Sequence, residues 1–218
     1  MTVVDARPAE RKRVEFNIPS LDGIRAFAVV LVFLAHAGMN AVPGGLGVTI
    51  FFFLSGYLIT SLLRREQERK GRIDLRGFYL RRVLRIWPPL YIFLGFAVIL
   101  CLLADGFAPP RMEPLTFQLL HLANYYRVFG DQPGIPGTGV LWSLAVEEHF
   151  YLLFPALLIF LFPRYSYRQI AVILGGLCLL LLAWRCLLVW GMHVEVDRTY
   201  EATDTRIDSI MYGCILAL

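Results

Sequence analysis

The chain has 218 residues, of which 57% are hydrophobic and only 17% charged, with a formal net charge of +4 and a mean hydropathy of +0.60. Soluble domains hold about 45–50% apolar and about a quarter charged residues, so this composition excludes an ordinary soluble enzyme. The excess apolar residues come in blocks, the pattern of a polytopic membrane protein. The expected fold is all-α: one transmembrane helical bundle of about six spans, with the lipid bilayer as its first partner and no nucleic-acid partner.

Residues 1–19 are polar and carry Arg7, Arg11, Lys12 and Arg13, which reads as a cytoplasmic N-terminal lead; the membrane domain then covers 20–218. Ala35-His36-Ala37 mimics a signal-cleavage site, but the basic lead is long and further apolar spans follow at once, so the segment is expected to be retained. Span 1 is expected over 22–40, a Gly/Pro-rich turn over 40–47 and span 2 over 46–63. A basic segment fills 64–86. Span 3 is expected to start at Pro88-Pro89 and run to 105, followed by a long loop over 106–140 with a short amphipathic helix at 113–124. Span 4 is expected over 141–162, span 5 over 169–190, and a sixth apolar stretch from Thr205. The segment "IDSIMYGCILAL" over Ile207–Leu218 is 12 residues, too short to cross an apolar core of about 30 Å at 1.5 Å per residue.

Sixteen of the 21 Lys and Arg residues fall in the lead, the foot of span 1, the 64–86 segment and the turn at 163–168. The positive-inside rule then places the N-terminus in the cytoplasm and makes the protein a multi-pass component of the plasma (inner) membrane. Cys101, Cys178, Cys186 and Cys214 all lie in apolar blocks without CxxC or metal-type spacing, so neither a disulfide nor a metal site is expected.

Five constellations carry chemistry. Arg25 and His36 are eleven residues apart, about three helical turns, hence on nearly one face, with Arg25 expected near the inner surface and His36 within the membrane. An intramembrane histidine serves either as a helix–helix hydrogen-bonding residue or as a proton acceptor. Ser55-Gly56 interrupts the aromatic stretch "GGLGVTIFFFLSGYLI", a pattern suited to close helix packing. In "FYLRRVLRIWP", Arg82 and Arg85 share a helix face with Arg81 beside them; they are either topological anchors or an anion site for phosphates. In "WSLAVEEHFYLLFP", Glu147, Glu148 and His149 enter a span side by side. Successive residues point about 100° apart, so one or two of them face a shared cavity. Glu147 is favoured, Glu148 follows, and Ser143 is read as a helix cap. "DTRIDS", with Arg206 and Asp208, reads as a capped helix start with an Arg–Asp pair.

Taken together, Arg25-x10-His36, Gly44-Gly45 with Phe51-Phe52 and Ser55-Gly56-Tyr57, Arg82-x-x-Arg85, Trp142-Ser143-Leu144 with Glu147-Glu148, and Arg206-x-Asp208 resemble the acyltransferase-3 family of integral membrane acyltransferases. That group O-acetylates cell-surface glycans, lipopolysaccharide among them. The family's domain has about ten spans, so the resemblance implies that this chain lacks the later ones, and His149 stands where the family commonly has Gln. The resemblance further implies His36 as catalytic base supported by Arg25, Glu147 shaping the active site, and Arg82, Arg85 and Arg81 holding the phosphates of acyl-CoA (acetyl-CoA). Ser55, Trp142, Ser143, Glu148, Arg206 and Asp208 would line the acceptor site for a carbohydrate hydroxyl. Two other readings of the residues remain: a proton-coupled transporter using the buried His and Glu, and a non-catalytic membrane fragment.

Overall fold

The computed structural model describes residues 19–39, 41–103, 109–130 and 134–218. All of the expected polar lead except Pro19 lies outside the described residues. Among the described residues ten α-helices follow one another: α1 Pro19–His36, α2 Gly44–Lys70, α3 Leu75–Leu103, α4 Met112–Leu119, α5 Ala123–Phe129, α6 Leu141–Leu161, α7 Tyr167–Cys186, α8 Val196–Glu201, α9 Thr203–Arg206 and α10 Asp208–Ala217. A 3₁₀ turn at Thr138–Val140 leads into α6, and a π-helical turn at Leu187–Gly191 extends α7. No strand occurs among the described residues. Among the described residues five helical segments are long and apolar enough to cross a membrane: α1, α2, α3, α6 with its 3₁₀ turn, and α7 with its π turn. The sixth, α10, is a shorter apolar helix of 10 residues, about 15 Å long at 1.5 Å per residue.

The basic segment expected at 64–86 is mostly helical. α2 continues to Lys70 and α3 already begins at Leu75, so the segment is a helical hairpin. Its charged stretch, Arg64-Arg65-Glu66-Gln67-Glu68-Arg69-Lys70, consists of good helix formers and is bound by Arg64–Glu68 and Glu66–Lys70 pairs one turn apart. Gly71 ends α2 in the left-handed conformation, φ 66°, its amide donating to the Gln67 carbonyl in the usual glycine stop. Asp74 Oδ1 accepts from the Gly77 amide at 3.0 Å and so starts α3. Pro88-Pro89 therefore sits inside α3 instead of opening it, as membrane helices allow when neighbours satisfy the freed carbonyls. The single helix expected at 113–124 is two, α4 and α5, broken at His121. α7 starts with a Ser166–Gln169 capping box.

The main core joins α2, α6, α7 and α10 around Phe52, Ile59, Val146, Phe150, Leu158, Leu174 and Ile210. α2 packs against α1 on one side and α10 on the other, α7 packs against α10, and α3 touches α6. α4 and α5 lie against α3 and the start of α6, through Leu90, Leu94, Ala123 and Leu141 and through Ala97, Cys101 and Ile135. Cys101, Cys178 and Cys214 are buried free thiols and Cys186 is half-buried.

The α2–α10 crossing is a backbone contact. A Cβ on Gly56 would strike the Ile210 carbonyl oxygen, and one on Gly213 would strike the Phe53 carbonyl oxygen. Two small residues facing each other let membrane helices approach this closely. Gly56→Ala is expected to destabilise the bundle by about 1–3 kcal/mol, the scale of forced overpacking. Gly175→Ala, where nothing lies within 4 Å of the added methyl, is expected to be neutral or stabilising by about 0.5–1 kcal/mol. Thermal unfolding of the two variants in detergent checks the contrast.

Candidate active site

Glu147 stands at the meeting point of three spanning helices. It lies about two turns into α6, half-buried. Ser55 Oγ on α2 donates to Glu147 Oε1 at 2.7 Å, and Tyr151 Oη, one turn further along α6, donates to Oε2 at 3.0 Å. Both carboxylate oxygens are thus engaged by hydroxyl groups. From α3, the Arg82 guanidinium lies 4.8 Å from the centre of the Tyr151 ring and 5.7 Å from that of Phe78, positions that add cation–π attraction. Arg82 and Arg25 are both close enough to act on the charge of Glu147. Ser55 therefore does more than permit close packing, and Tyr151, four residues beyond Glu147 on the same helix face, is a partner that the sequence reading overlooked.

Arg82 also forms a wall of a cavity of about 470 Å³ between the end of α2 and the start of α3. Arg65, Arg69, Lys70, Arg81 and Arg85 line the same cavity, with Glu66 as its acidic residue and Leu62, Leu63 and Phe78 beneath. Six cationic side chains around one opening suit a polyanion, because guanidinium groups match phosphate oxygens in charge and geometry. Arg81, Arg82 and Arg85 are brought together as the sequence reading expected, and α2 supplies the other half of the cavity.

The placement of Arg25 and His36 along α1 differs from the expectation. A Cβ on Gly47 would stand 2.7 Å from the Ala28 carbonyl oxygen, and one on Gly44 would stand 2.6 Å from Ala35 Cβ, so α1 runs antiparallel to α2 with Ala28 beside Gly47. Leu21 and Ile24 share an apolar cavity with Ile50, Phe53, Leu54 and Tyr57. Arg25, one turn from Ala28 toward the start of α1, therefore stands at the depth of the aromatic stretch, its side chain 38% exposed and 3.5 Å from Asp22, well away from the basic hairpin. His36 is the last residue of α1 and exposed, about 16 Å of helix rise from Arg25. The close glycine contacts of α2 set this register. His36 Nδ1 lies 2.8 Å from the Val32 carbonyl oxygen. A carbonyl only accepts, so Nδ1 carries the proton and the lone pair of the neutral ring lies on Nε2.

At the end of the bundle opposite the basic hairpin, Arg206 sits in an aromatic enclosure. Its guanidinium is 4.9 Å from the Tyr200 ring centre and 5.7 Å from that of Phe52, and Nη2 donates to Thr49 Oγ1 at 2.7 Å. Trp142 meets Phe52 edge-on at 6.0 Å and Tyr200 at 5.1 Å. Arg206 does not pair with Asp208. Residues two apart on a helix do not face each other, and Asp208 instead pairs with Arg185 of α7 and accepts from the Ser209 amide at 2.8 Å. Asp204 is held by Arg198 and by Trp184 Nε1; although burial opposes ionisation, these bonds keep its carboxyl below the usual range. Ser143 does not cap α6: its hydroxyl donates back to the Val140 carbonyl at 3.1 Å.

Glu148 points to a different set of neighbours. Its Oε1 is buried with no hydrogen-bond partner among the described residues, and on α3 the Trp87 ring lies 5.7 Å from the ring of His121. His149 Nδ1 is 2.7 Å from Thr203 Oγ1, and its ring packs on Tyr125. His121 lies between α4 and α5, where burial and then the neighbouring His149 hold its imidazole below the usual histidine range. Among the described residues no cluster of His, Cys, Asp and Glu has the arrangement of a metal site.

The family model for an acyltransferase domain matches residues 18–197 of this chain. The chain belongs to the acyltransferase-3 family. It is 34% identical over 224 residues to the O-acetyltransferase OatA of Staphylococcus aureus, an alignment covering all of this chain and 37% of that protein. It is 36% identical over 212 residues to the peptidoglycan O-acetyltransferase OatA of Listeria monocytogenes, covering 92% of this chain and 33% of that protein. The chain thus spans about a third of the length of these relatives. No solved structure is a significant match. Family membership and five membrane-length helices make this a multi-pass membrane protein.

The Arg185–Asp208 pair is structural in its setting, since the Asp208 side chain is 5% exposed. Asp208→Ala leaves Arg185 uncompensated and is expected to cost about 3–5 kcal/mol, as for other buried pairs broken on one side. The amount of folded, membrane-extracted protein measured against Arg206→Ala, whose hydroxyl partner can turn to other acceptors, checks this.

Proposed function

We propose that the protein is a membrane O-acyltransferase that moves an acetyl or short acyl group from acyl-CoA to a hydroxyl of a cell-wall glycan. The observation that carries the reading is the basic cavity, because one of its walls, Arg82, also reaches the Tyr151–Glu147 centre. A donor with phosphates at one end and a thioester at the end of a long arm fits such a connection: charge anchored at the helical hairpin, acyl group carried into the bundle. Similarity to the peptidoglycan O-acetyltransferase of Listeria supports peptidoglycan as the glycan class, in preference to lipopolysaccharide.

In this reading Arg81, Arg82 and Arg85 hold the donor phosphates. Glu147, fixed by Ser55 and Tyr151, orients Arg82 and, with Arg25, sets the field along the acyl arm. His36 is the base: with Nδ1 committed to Val32, Nε2 is free to take the proton of the acceptor hydroxyl. The hydroxyl oxygen attacks the thioester carbonyl carbon, an ester C–O bond forms, the C–S bond breaks, and the departing thiolate receives the proton from His36. Trp142, Arg206 and Tyr200, on the His36 side of the bundle, supply aromatic and cationic surface for a sugar; Ser143 is bonded to Val140 and Asp208 to Arg185. The N-terminus and the basic hairpin face the cytoplasm, where acyl-CoA is made, and the protein resides in the plasma membrane.

Three outcomes follow. His36→Gln keeps a hydrogen-bonding side chain but cannot take a proton, so acetylation of the glycan by the full-length protein is lost at matched protein level; near-normal acetylation assigns the imidazole a packing role. Arg85→Ala weakens acyl-CoA binding by about 1.5–3 kcal/mol, the scale of a hydrogen bond to a charged group, measured by titration in nanodiscs. A cysteine at Arg69 is labelled by impermeant reagent only after the cells are opened, and one at Thr138 is labelled in intact cells.

A further inference from the structure

A second polar cavity lies at the end of the bundle opposite the basic hairpin. It measures about 370 Å³ and is bounded by Gln118 of α4, Tyr126 and Arg127 of α5, Thr138 ahead of α6 and four glycines between Gly130 and Gly139. None of these residues belongs to the groups around Glu147, Arg206 or the hairpin. Its place is fixed through α8. Arg127 pairs with Glu201, and the neighbouring Tyr200 borders the Arg206 guanidinium. A Cβ on Gly45, next to the Gly44 that meets Ala35, would stand 2.6 Å from Tyr200 Oη. The cavity therefore shares an end of the bundle with the aromatic enclosure and with His36.

Its chemistry is polar and close to neutral. Arg127 is the charged residue of the lining, and Glu201 matches it: Nε and Nη2 donate to the carboxylate at 2.5 and 2.8 Å. The pair also holds the guanidinium in place. Nη1 is left at the wall of the cavity, where a Cβ on Gly139 would stand 3.0 Å from it. A matched cation offers a donor edge without surplus charge, so an anion has less to gain here than at the hairpin. Gln118, 6% exposed, supplies an acceptor. The Thr138 hydroxyl has one hydrogen, which goes to the Ile135 carbonyl at 2.7 Å, so toward Gln118 it only accepts. The carboxamide NH2 therefore faces Thr138, at 2.6 Å, and the oxygen is turned the other way, buried and without a hydrogen-bond partner. Buried polar atoms are ordinarily bonded. A donor edge, an unpartnered carboxamide oxygen and walls of glycine suit a neutral ligand that carries both a carbonyl and an N–H. The volume falls in the range of about 300–1,000 Å³ usual for small-ligand sites.

We propose that this cavity is a subsite for an N-acetylated sugar of the acceptor glycan, with the acetamido group as the recognised feature. This rests on the reading of the acceptor as a cell-wall glycan. The acetamido carbonyl accepts from Arg127 Nη1, its N–H donates to Gln118 Oε1, and the glycines let the sugar approach the backbone of the turn before α6. The subsite selects acetylated amino sugars over plain hexoses and holds the glycan at the end of the bundle where Tyr200 and His36 lie. A peptide carries the same amide; the acceptor reading favours the sugar, and the test separates the two.

The test titrates the full-length protein in lipid nanodiscs with three probes: N-acetylglucosamine, glucose and N-acetylalanine methylamide. Gly134→Leu fills the cavity. Nothing lies within 4 Å of an added Cβ there and Gly134 is not one of the left-handed glycines, so its thermal midpoint is expected to be unchanged. Gln118→Met keeps the length of the side chain and removes the carboxamide oxygen; should it fail to fold, Gly134→Leu decides alone. N-acetylglucosamine is expected to bind the unaltered protein about tenfold more tightly than the other two probes, and each variant to lose about tenfold, the effect of one buried hydrogen bond. Equal binding of N-acetylglucosamine and glucose, tighter binding of the peptide probe, or an affinity unchanged in Gly134→Leu overturns the proposal. The acceptor reading is judged separately, by glycan acetylation in cells. A protein that binds N-acetylglucosamine in the cavity but acetylates no glycan keeps the subsite and loses that reading; glycan acetylation without sugar binding keeps the reading and removes the subsite.

Discussion

A carboxylate carried into a membrane helix must be satisfied by protein groups, because the lipid offers none. An acidic side chain at the centre of a span costs about 2.5–3.5 kcal/mol on insertion scales, and Glu147 meets that cost through Ser55 on α2, Tyr151 on its own helix and Arg82 on α3. These partners fix how α2, α3 and α6 stand relative to one another. The α2–α10 crossing at Gly56 and Gly213 and the α1–α2 contacts at Gly44 and Gly47 then fix the remaining depths. What the bundle places around Glu147 follows from this: a cationic cavity at the hairpin end, an aromatic enclosure around Arg206 at the other, and Arg25 between them.

The polar groups divide by how completely they are used. Arg185–Asp208, Arg198–Asp204 and Arg127–Glu201 are closed pairs that pin α7 to α10, α8 to α9 and α5 to α8. The hydrogen bonds of Arg127 to Glu201, at 2.5 and 2.8 Å, hold its guanidinium above even its usual range, as expected of a cation committed to one carboxylate. By contrast, the basic cavity gathers six cations around Glu66, its one acidic lining residue, which pairs with Lys70, and the neutral ring of His36 keeps the lone pair of Nε2. Closed pairs stabilise the fold, whereas the hairpin keeps a surplus of cationic charge, where the proposed donor site lies.

The spans were legible because hydropathy marks them directly, and Arg82-x-x-Arg85 was legible because its spacing alone puts both residues on one face. Hydropathy alone ended span 2 too early, however: the run from Arg64 to Lys70 is polar but strongly helix-forming, and it continues α2 to Gly71. Pro88-Pro89 looked like a helix start, since proline suits a first turn, yet it lies within α3. The depths of Arg25 and His36 depend on which glycines of α2 meet α1, a long-range register that no local pattern encodes. Arg206 and Asp208 looked like a pair because they are close in sequence, but the helix sends them to different partners. His121, where the expected helix breaks, gave no signal, since a left-handed histidine is recognised only from its dihedral angle and from the bonds that close α4.

The central claim is that one continuous donor site runs from the basic hairpin to Glu147. A structure of the full-length protein bound to a non-hydrolysable acyl-CoA analogue tests it most directly. The account predicts phosphate density against Arg81, Arg82 and Arg85 and the acyl arm running past the Ser55–Glu147–Tyr151 centre toward His36. Phosphates bound at the opposite end of the bundle, beside Arg206 and Tyr200, would contradict it.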